Sequence, residues 1–185
     1  MDHGADINAV YNKMAQVPNG LANTQTQRTA FTDLCEQVSV NAHVDFKTQA
    51  AKAMYIVNNS QFNVKYVDDQ KFTTLHWAIS LKDARVIHDI CKKDSSFVNA
   101  TDVYNKTALK WTAEYYNAAN GADKELWKNV ATELVEHGAN SSDLMGTDLF
   151  GADFHAGHAV LEQGYLAQDA FVLVTLMAAM QQHDH

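Results

Sequence analysis

Residues 67–79 read VDDQKFTTLHWAI, and residues 101–113 read TDVYNKTALKWTA. Set 34 positions apart, the two stretches coincide at Asp68 and Asp102, Thr73 and Thr107, Leu75 and Leu109, and Trp77 and Trp111. Val64 and Val98, just upstream, keep the same spacing. Five agreements in one register mark an internal repeat, and a period of about 20–50 residues points to stacked units.

Weaker copies flank this pair. DLFGADFHAGHA, from Asp148, carries Gly151, Asp153 and then Phe154-His155. QRTAFTDL puts Thr29 and Phe31 where Thr73 and Leu75 stand. HGADINA at 3–9 resembles EHGANSS at 136–142.

Each unit reads as two short helices and a turn. Thr73 is a good N-cap, because its hydroxyl can accept a free backbone N–H one turn in. Leu75, Ala78 and Ile79 then share a helical face, and this helix is predicted to stop near Lys82. Asp83 caps a second helix whose apolar stripe is Val86, Ile87, Ile90 and Cys91. In the next unit Leu126, Val130 and Leu134 repeat that stripe, and Gly138 ends it. Two inserts interrupt the period. NAANGAD (117–123) lies between the two helices of the unit beginning at Asp102, and YNKMAQVPNGLANTQTQ (11–27), rich in turn residues, reads as an exposed loop.

The pattern resembles the ankyrin repeat, a unit of about 33 residues with a β-turn, two helices and a Thr-Pro-Leu-His-x-Ala signature. TTLHWA (73–78) keeps that signature with Thr74 in the proline place, and TALKWTA (107–113) has Lys110 for the histidine. Lys71 and Asn105 stand where the family's turn has glycine. The resemblance implies an all-α solenoid of units near 24–67, 68–101, 102–147 and 148–180, with 1–10 the end of a partial unit. In that frame His76 ties neighbouring turns through its ring. Residues 1–9 would be a unit ending without its helices, either after an omitted region or as a degenerate cap. The apolar AFVLVTLMAAM (170–180) is expected to be covered by a further domain or a second copy of the chain.

Such folds recognise other proteins through finger tips and the exposed side of the first helix. The resemblance assigns that surface to Asp69, Gln70, Phe72, Trp77, Ser80 and Leu81 in one unit. In the next it assigns Val103, Tyr104, Lys106, Trp111, Glu114 and Tyr115. Apolar residues at wet positions are an interaction signal, unless the inserts bury them. Trp77 and Trp111 stand either as a binding ladder or as filler between helix pairs.

Composition limits the alternatives. Apolar residues make up 46% and charged residues 19% of 185, ordinary values for a soluble globular chain. Lys and Arg number 14 against 22 Asp and Glu, with no basic run, so nucleic acid is not an expected partner. An acidic chain steers basic partners. The 170–180 run is too short to span a bilayer, and MDHGADINAV has no secretory pattern. The expected location is cytoplasmic, or host cytoplasm for an effector. Cys35 and Cys91 sit in no metal or redox spacing; reduced buried thiols are expected, with a disulfide left open. His155 and His158 beside Asp153 allow a metal reading, but no fourth ligand accompanies them, and neither a metal nor a cofactor is expected. Cys35 with His43 lacks any signature of a thiol nucleophile. The chain therefore reads as a non-enzymatic protein–protein interaction scaffold. Two alternatives stay open: a substrate-docking region of an enzyme, and a bacterial effector acting on a host protein. A pocket with convergent titratable groups would favour the enzyme.

Overall fold

A computed structural model describes residues 6–14, 25–40 and 44–149. They form a two-stranded ribbon, β1 (Tyr11–Met14) and β2 (Gln25–Arg28), and six helices. These are α1 (Ala30–Val40), α2 (Phe46–Asn58), α3 (Thr74–Ala78, continued by a 3-10 turn at Ile79–Leu81), α4 (Ala84–Lys93), α5 (Ala108–Ala118) and α6 (Ala122–Glu136). The chain divides into two compact units, 1–143 and 144–185. All six helices belong to the first. None of the described helices is long and apolar enough to cross a membrane. His3, His43, Asp153, His155, His158 and the apolar run at 170–180 lie outside the described residues, as does the unit expected at 148–180 apart from Asp148 and Leu149.

The helices pair as α1/α2, α3/α4 and α5/α6. Successive pairs lie side by side: α1 packs on α3 and α3 on α5, while α2 packs on α4 and α4 on α6. Local sequence explains the starts. Thr29, Thr73 and Thr107 precede α1, α3 and α5, and each hydroxyl accepts the N–H three residues on, from Thr32, His76 and Lys110. Phe31, Leu75 and Leu109 follow these caps and are buried to 1% or less. The second helices keep a common stripe. Val86, Ile87, Ile90 and Cys91 of α4 and Val130, Ala131, Leu134 and Val135 of α6 are all buried, each pair 44 residues apart.

Four expectations need correction. The 11–27 stretch is not simply a loop, because its ends pair as β1 and β2 with Tyr11 opposite Arg28. Pro18, Asn19 and Gly20 fall outside the strands in sequence, so no proline or glycine in either strand opposes extension. The 117–123 insert is mostly absorbed into helix, finishing α5 and beginning α6, with 119–121 as the connection. Gly121 takes φ +55° there, a backbone that a side chain would resist. On α6 the inward position falls to Trp127, 6% exposed, and Leu126 is left half-buried. Finally, Leu81 is completely buried, so it cannot face a partner. The 3-10 turn after α3 rotates it inward, and Lys82 then leaves the helix at φ +54°.

Candidate functional site

The candidate surface begins with two tight fingers. In the first, Asp68 N–H donates to the Phe72 carbonyl and accepts, through its own carbonyl, the N–H of Lys71, both at 3.1 Å. The Asp68 carboxylate fills the finger. Its Oδ1 accepts the N–H groups of Gln70 and Phe72 at 2.9 Å each, and its Oδ2 accepts the Trp77 indole N–H at 3.0 Å. The second finger repeats every bond. Asp102 Oδ1 accepts from Tyr104 (2.8 Å) and Lys106 (3.0 Å), and its Oδ2 accepts from the Trp111 indole at 2.6 Å. Lys71 and Asn105 hold φ of +58° and +57° at matching places. Lysine there carries the strain that glycine would avoid.

The fingers are joined to each other. Val103 N–H donates to the Gln70 carbonyl at 3.2 Å. His76 Nδ1 accepts the Thr73 N–H at 3.2 Å, which fixes the tautomer. Its Nε2 then carries the hydrogen and donates to the Lys106 carbonyl of the second finger at 2.9 Å. Burial lowers the pKa of this ring against the opposing pull of the Lys106 carbonyl and of Asp102 and Asp68, so it works as a neutral imidazole.

Asparagines hold the unit ends in the same manner. Asn8 Nδ2 donates to the Gln61 carbonyl and its Oδ1 accepts Asn63 N–H, at 2.6 and 2.7 Å. Asn99 makes the same pair of bonds to the Gly138 carbonyl and Asn140 N–H, at 2.9 and 2.7 Å.

Aromatic rings lie over this skeleton. Tyr104 meets Trp111 edge to face at 6.3 Å, Trp111 stacks on Tyr115 at 6.0 Å, and Tyr115 stacks on Trp127 at 4.9 Å. Lys106 Nζ sits 4.0 Å from the Trp111 ring centre and 2.7 Å from Glu114 Oε2. Around the first finger, Phe72 packs edge-on to Trp77 at 5.8 Å and along His76 at 5.7 Å, and the Arg28 guanidinium covers Trp77 at 4.5 Å. The two tryptophans therefore do not stack on each other; each is pinned to its own finger aspartate and roofed by a cation.

Of the expected partner-facing residues, Tyr104 is 64% exposed, Val103 46% and Tyr115 42%, and Asp69 and Gln70 are also exposed. Phe72, Trp77, Lys106, Trp111 and Glu114 are half-buried beneath them. Ser80 is turned away from that role. Its hydroxyl lies 2.8 Å from the Trp77 carbonyl and 3.0 Å from the Cys35 carbonyl, which joins α3 to α1. Sequence reasoning missed Arg28 and Trp127. Arg28 was findable, since it precedes its capping threonine just as Phe72 and Lys106 precede theirs. Trp127 has no counterpart in the repeat, and only the packing of α5 on α6 brings it to Tyr115.

Cys35 and Cys91 are both free and buried. Burial holds the Cys35 thiol far above its ordinary value, and burial with the Glu133 charge pushes Cys91 up to about 12. Protonated, enclosed thiols are not nucleophiles. A cavity of about 40 Å³ lined by Ile7, Val10, Phe31, Phe62 and neighbours has room for no metabolite, and an open surface depression lined by Met54, Tyr55, Asn58 and Asn59 on α2 holds no titratable group besides the tyrosine. Comparison of the chain with protein-family models, with curated proteins and with solved structures finds no match in any of the three.

Proposed function

We propose that this chain is an ankyrin-like solenoid that recognises a partner protein through the tips of its two fingers and the adjoining face of α5. The observation that carries the reading is the exposed trio Val103, Tyr104 and Tyr115, mounted on a frame whose polar groups are bonded internally. Exposed aromatic anchors on a rigid base lose little conformational freedom on binding, which is the character of interface hot spots. The finger geometry repeated at 34 residues, the capping threonines and the asparagine clamps support the solenoid part of the reading. A formal net charge of −8 favours a partner with basic groups around an apolar contact, with association slowing as salt rises.

Site-specific photocrosslinking tests this. A photoreactive side chain replaces Tyr104, Tyr115 or, as a control, Tyr55. Tyr55 is 82% exposed but lies on α2, in the other row of helices. The proposal expects one protein to be captured from positions 104 and 115 and not from 55. Capture of that protein from 55 alone would place recognition on the wrong face.

A further inference from the structure

A second cluster lies away from the fingers, where α4 meets α6. Glu133 and His137 are four residues apart, so they share one face at the end of α6. His88 projects toward them from α4. Its Nδ1 lies 2.8 Å from Glu133 Oε1, and His137 Nε2 lies 3.0 Å from the same oxygen. The two rings are 5.4 Å apart at 64°. All three ligand atoms fall within 4.8 Å of one another. From these positions we infer that His88, Glu133 and His137 form a binding site for a divalent transition metal of the zinc class, clipping α4 to α6.

The chemistry of the donors selects that class. Two imidazole nitrogens and one carboxylate oxygen suit zinc and its neighbours, whereas magnesium and calcium prefer all-oxygen sites. Zinc bonds of about 2.0–2.2 Å to each donor put tetrahedral donor–donor edges at about 3.3–3.6 Å; the two N···O separations would open to that length, and the pair of ring nitrogens, now within 4.8 Å, would take the third edge. To bind a metal, each ring must present a lone pair at the nitrogen that now faces Glu133, so its single N–H moves to the other ring nitrogen by exchange with solvent. The His88 side chain is 49% exposed and Glu133 and His137 are 17% and 23% exposed, so an ion has a route in and a fourth position remains for water. Cys91, three residues after His88, is buried in the α4 stripe and is not one of the donors. The site joins helices from two successive units, so its occupancy would stabilise their stacking.

The test uses the untagged full chain, because the sequence holds other histidines. Zinc sulfate is titrated calorimetrically into the wild type, His88→Ala, Glu133→Gln, His137→Ala and the double variant His155→Ala/His158→Ala. We expect the tightest zinc event to weaken about tenfold or more in each of the first three variants and to persist in the double variant. Zinc, and not magnesium, should raise the wild-type Tm, and the rise should vanish in His88→Ala. Circular dichroism of each metal-free variant checks folding, and Glu133→Gln, nearly isosteric, serves if an alanine variant unfolds. Zinc binding undiminished in His88→Ala and His137→Ala, or absent from the wild type, would overturn the assignment.

Discussion

In the unit that begins at Asp68 the first helix runs five residues before tightening to a 3-10 turn, and in the unit that begins at Asp102 it runs eleven. The finger before each is the same object, bond for bond. The difference teaches which residues build and which are free to recognise. Asp, Thr, Leu and Trp at the 34-residue spacing close the finger, start the helix and bury its face. Position 72 can be Phe where position 106 is Lys, because either side chain lies over a tryptophan without entering the hydrogen-bond frame. The longer α5 carries Tyr115 at its surface, whereas the matching Leu81 falls in the 3-10 turn and is buried.

The largest effect is expected from emptying the fingers. Asp68→Ala and Asp102→Ala each strip three N–H donors of their acceptor, at about 2–3 kcal/mol by denaturant unfolding, with Asp102→Ala the costlier. The asymmetry comes from their surroundings. At Asp68, burial outweighs the bonds from Phe72, Gln70 and Trp77, and with Asp69 adjacent the carboxyl is held above its ordinary value. At Asp102, burial is outweighed by the bonds from Trp111, Lys106 and Tyr104 and by His76, leaving the carboxyl below its ordinary value. A clearly larger loss in Asp68→Ala would break the comparison.

His76→Ala comes next, at about 1–2 kcal/mol, because it removes both the reciprocal cap and the bond to the second finger. The second unit has Lys110 there, so Lys110→Ala should cost far less. The pH dependence of His76 follows from its lowered pKa. The unfolded ring takes up a proton near its ordinary value of about 6.5 while the folded one resists, so wild-type stability falls as pH drops through and below that value. His76→Ala should lose that part of the slope; an unchanged slope would show that the ring is not held neutral.

How much of this was legible in sequence depends on the kind of contact. Thr73, Asp83, Leu75 and the α4 stripe act within a turn or two of themselves, so spacing alone exposes them. On the second helix of the next unit Val130 and Leu134 were readable too, whereas spacing points to Leu126 for the inward position that Trp127 fills. The resemblance to the ankyrin unit assigns Leu81 to the partner-facing side, and the switch to 3-10 geometry that buries it is not encoded by any breaker. Trp127, the β1–β2 pairing and the His88–Glu133–His137 cluster depend on which elements become neighbours, and periodicity carries no information about that where an insert lengthens the helices.

A smaller pH effect sharpens the contrast between the fingers. A carboxyl lowered in the folded state contributes stability above its unfolded value and loses it as pH falls through the folded value. A raised one does the reverse, contributing at acid pH and losing it as pH rises through the folded value. The stability gap between wild type and Asp102→Asn should therefore narrow from neutral pH down past about 4, while the gap to Asp68→Asn widens. Parallel profiles from urea unfolding at a series of pH values would remove the distinction.

The smallest stability effect belongs to the residues proposed to recognise. Tyr104→Ala should change unfolding free energy by no more than about 0.5 kcal/mol, since its ring is exposed and only one edge rests on Trp111. The most direct measurement is the affinity of the captured partner for wild type, Tyr104→Ala/Tyr115→Ala and Tyr55→Ala, taken by calorimetry on folded proteins. The account predicts a loss of more than about tenfold for the finger-face pair and none for Tyr55→Ala; unchanged affinity in the pair, or a loss confined to Tyr55→Ala, would contradict it.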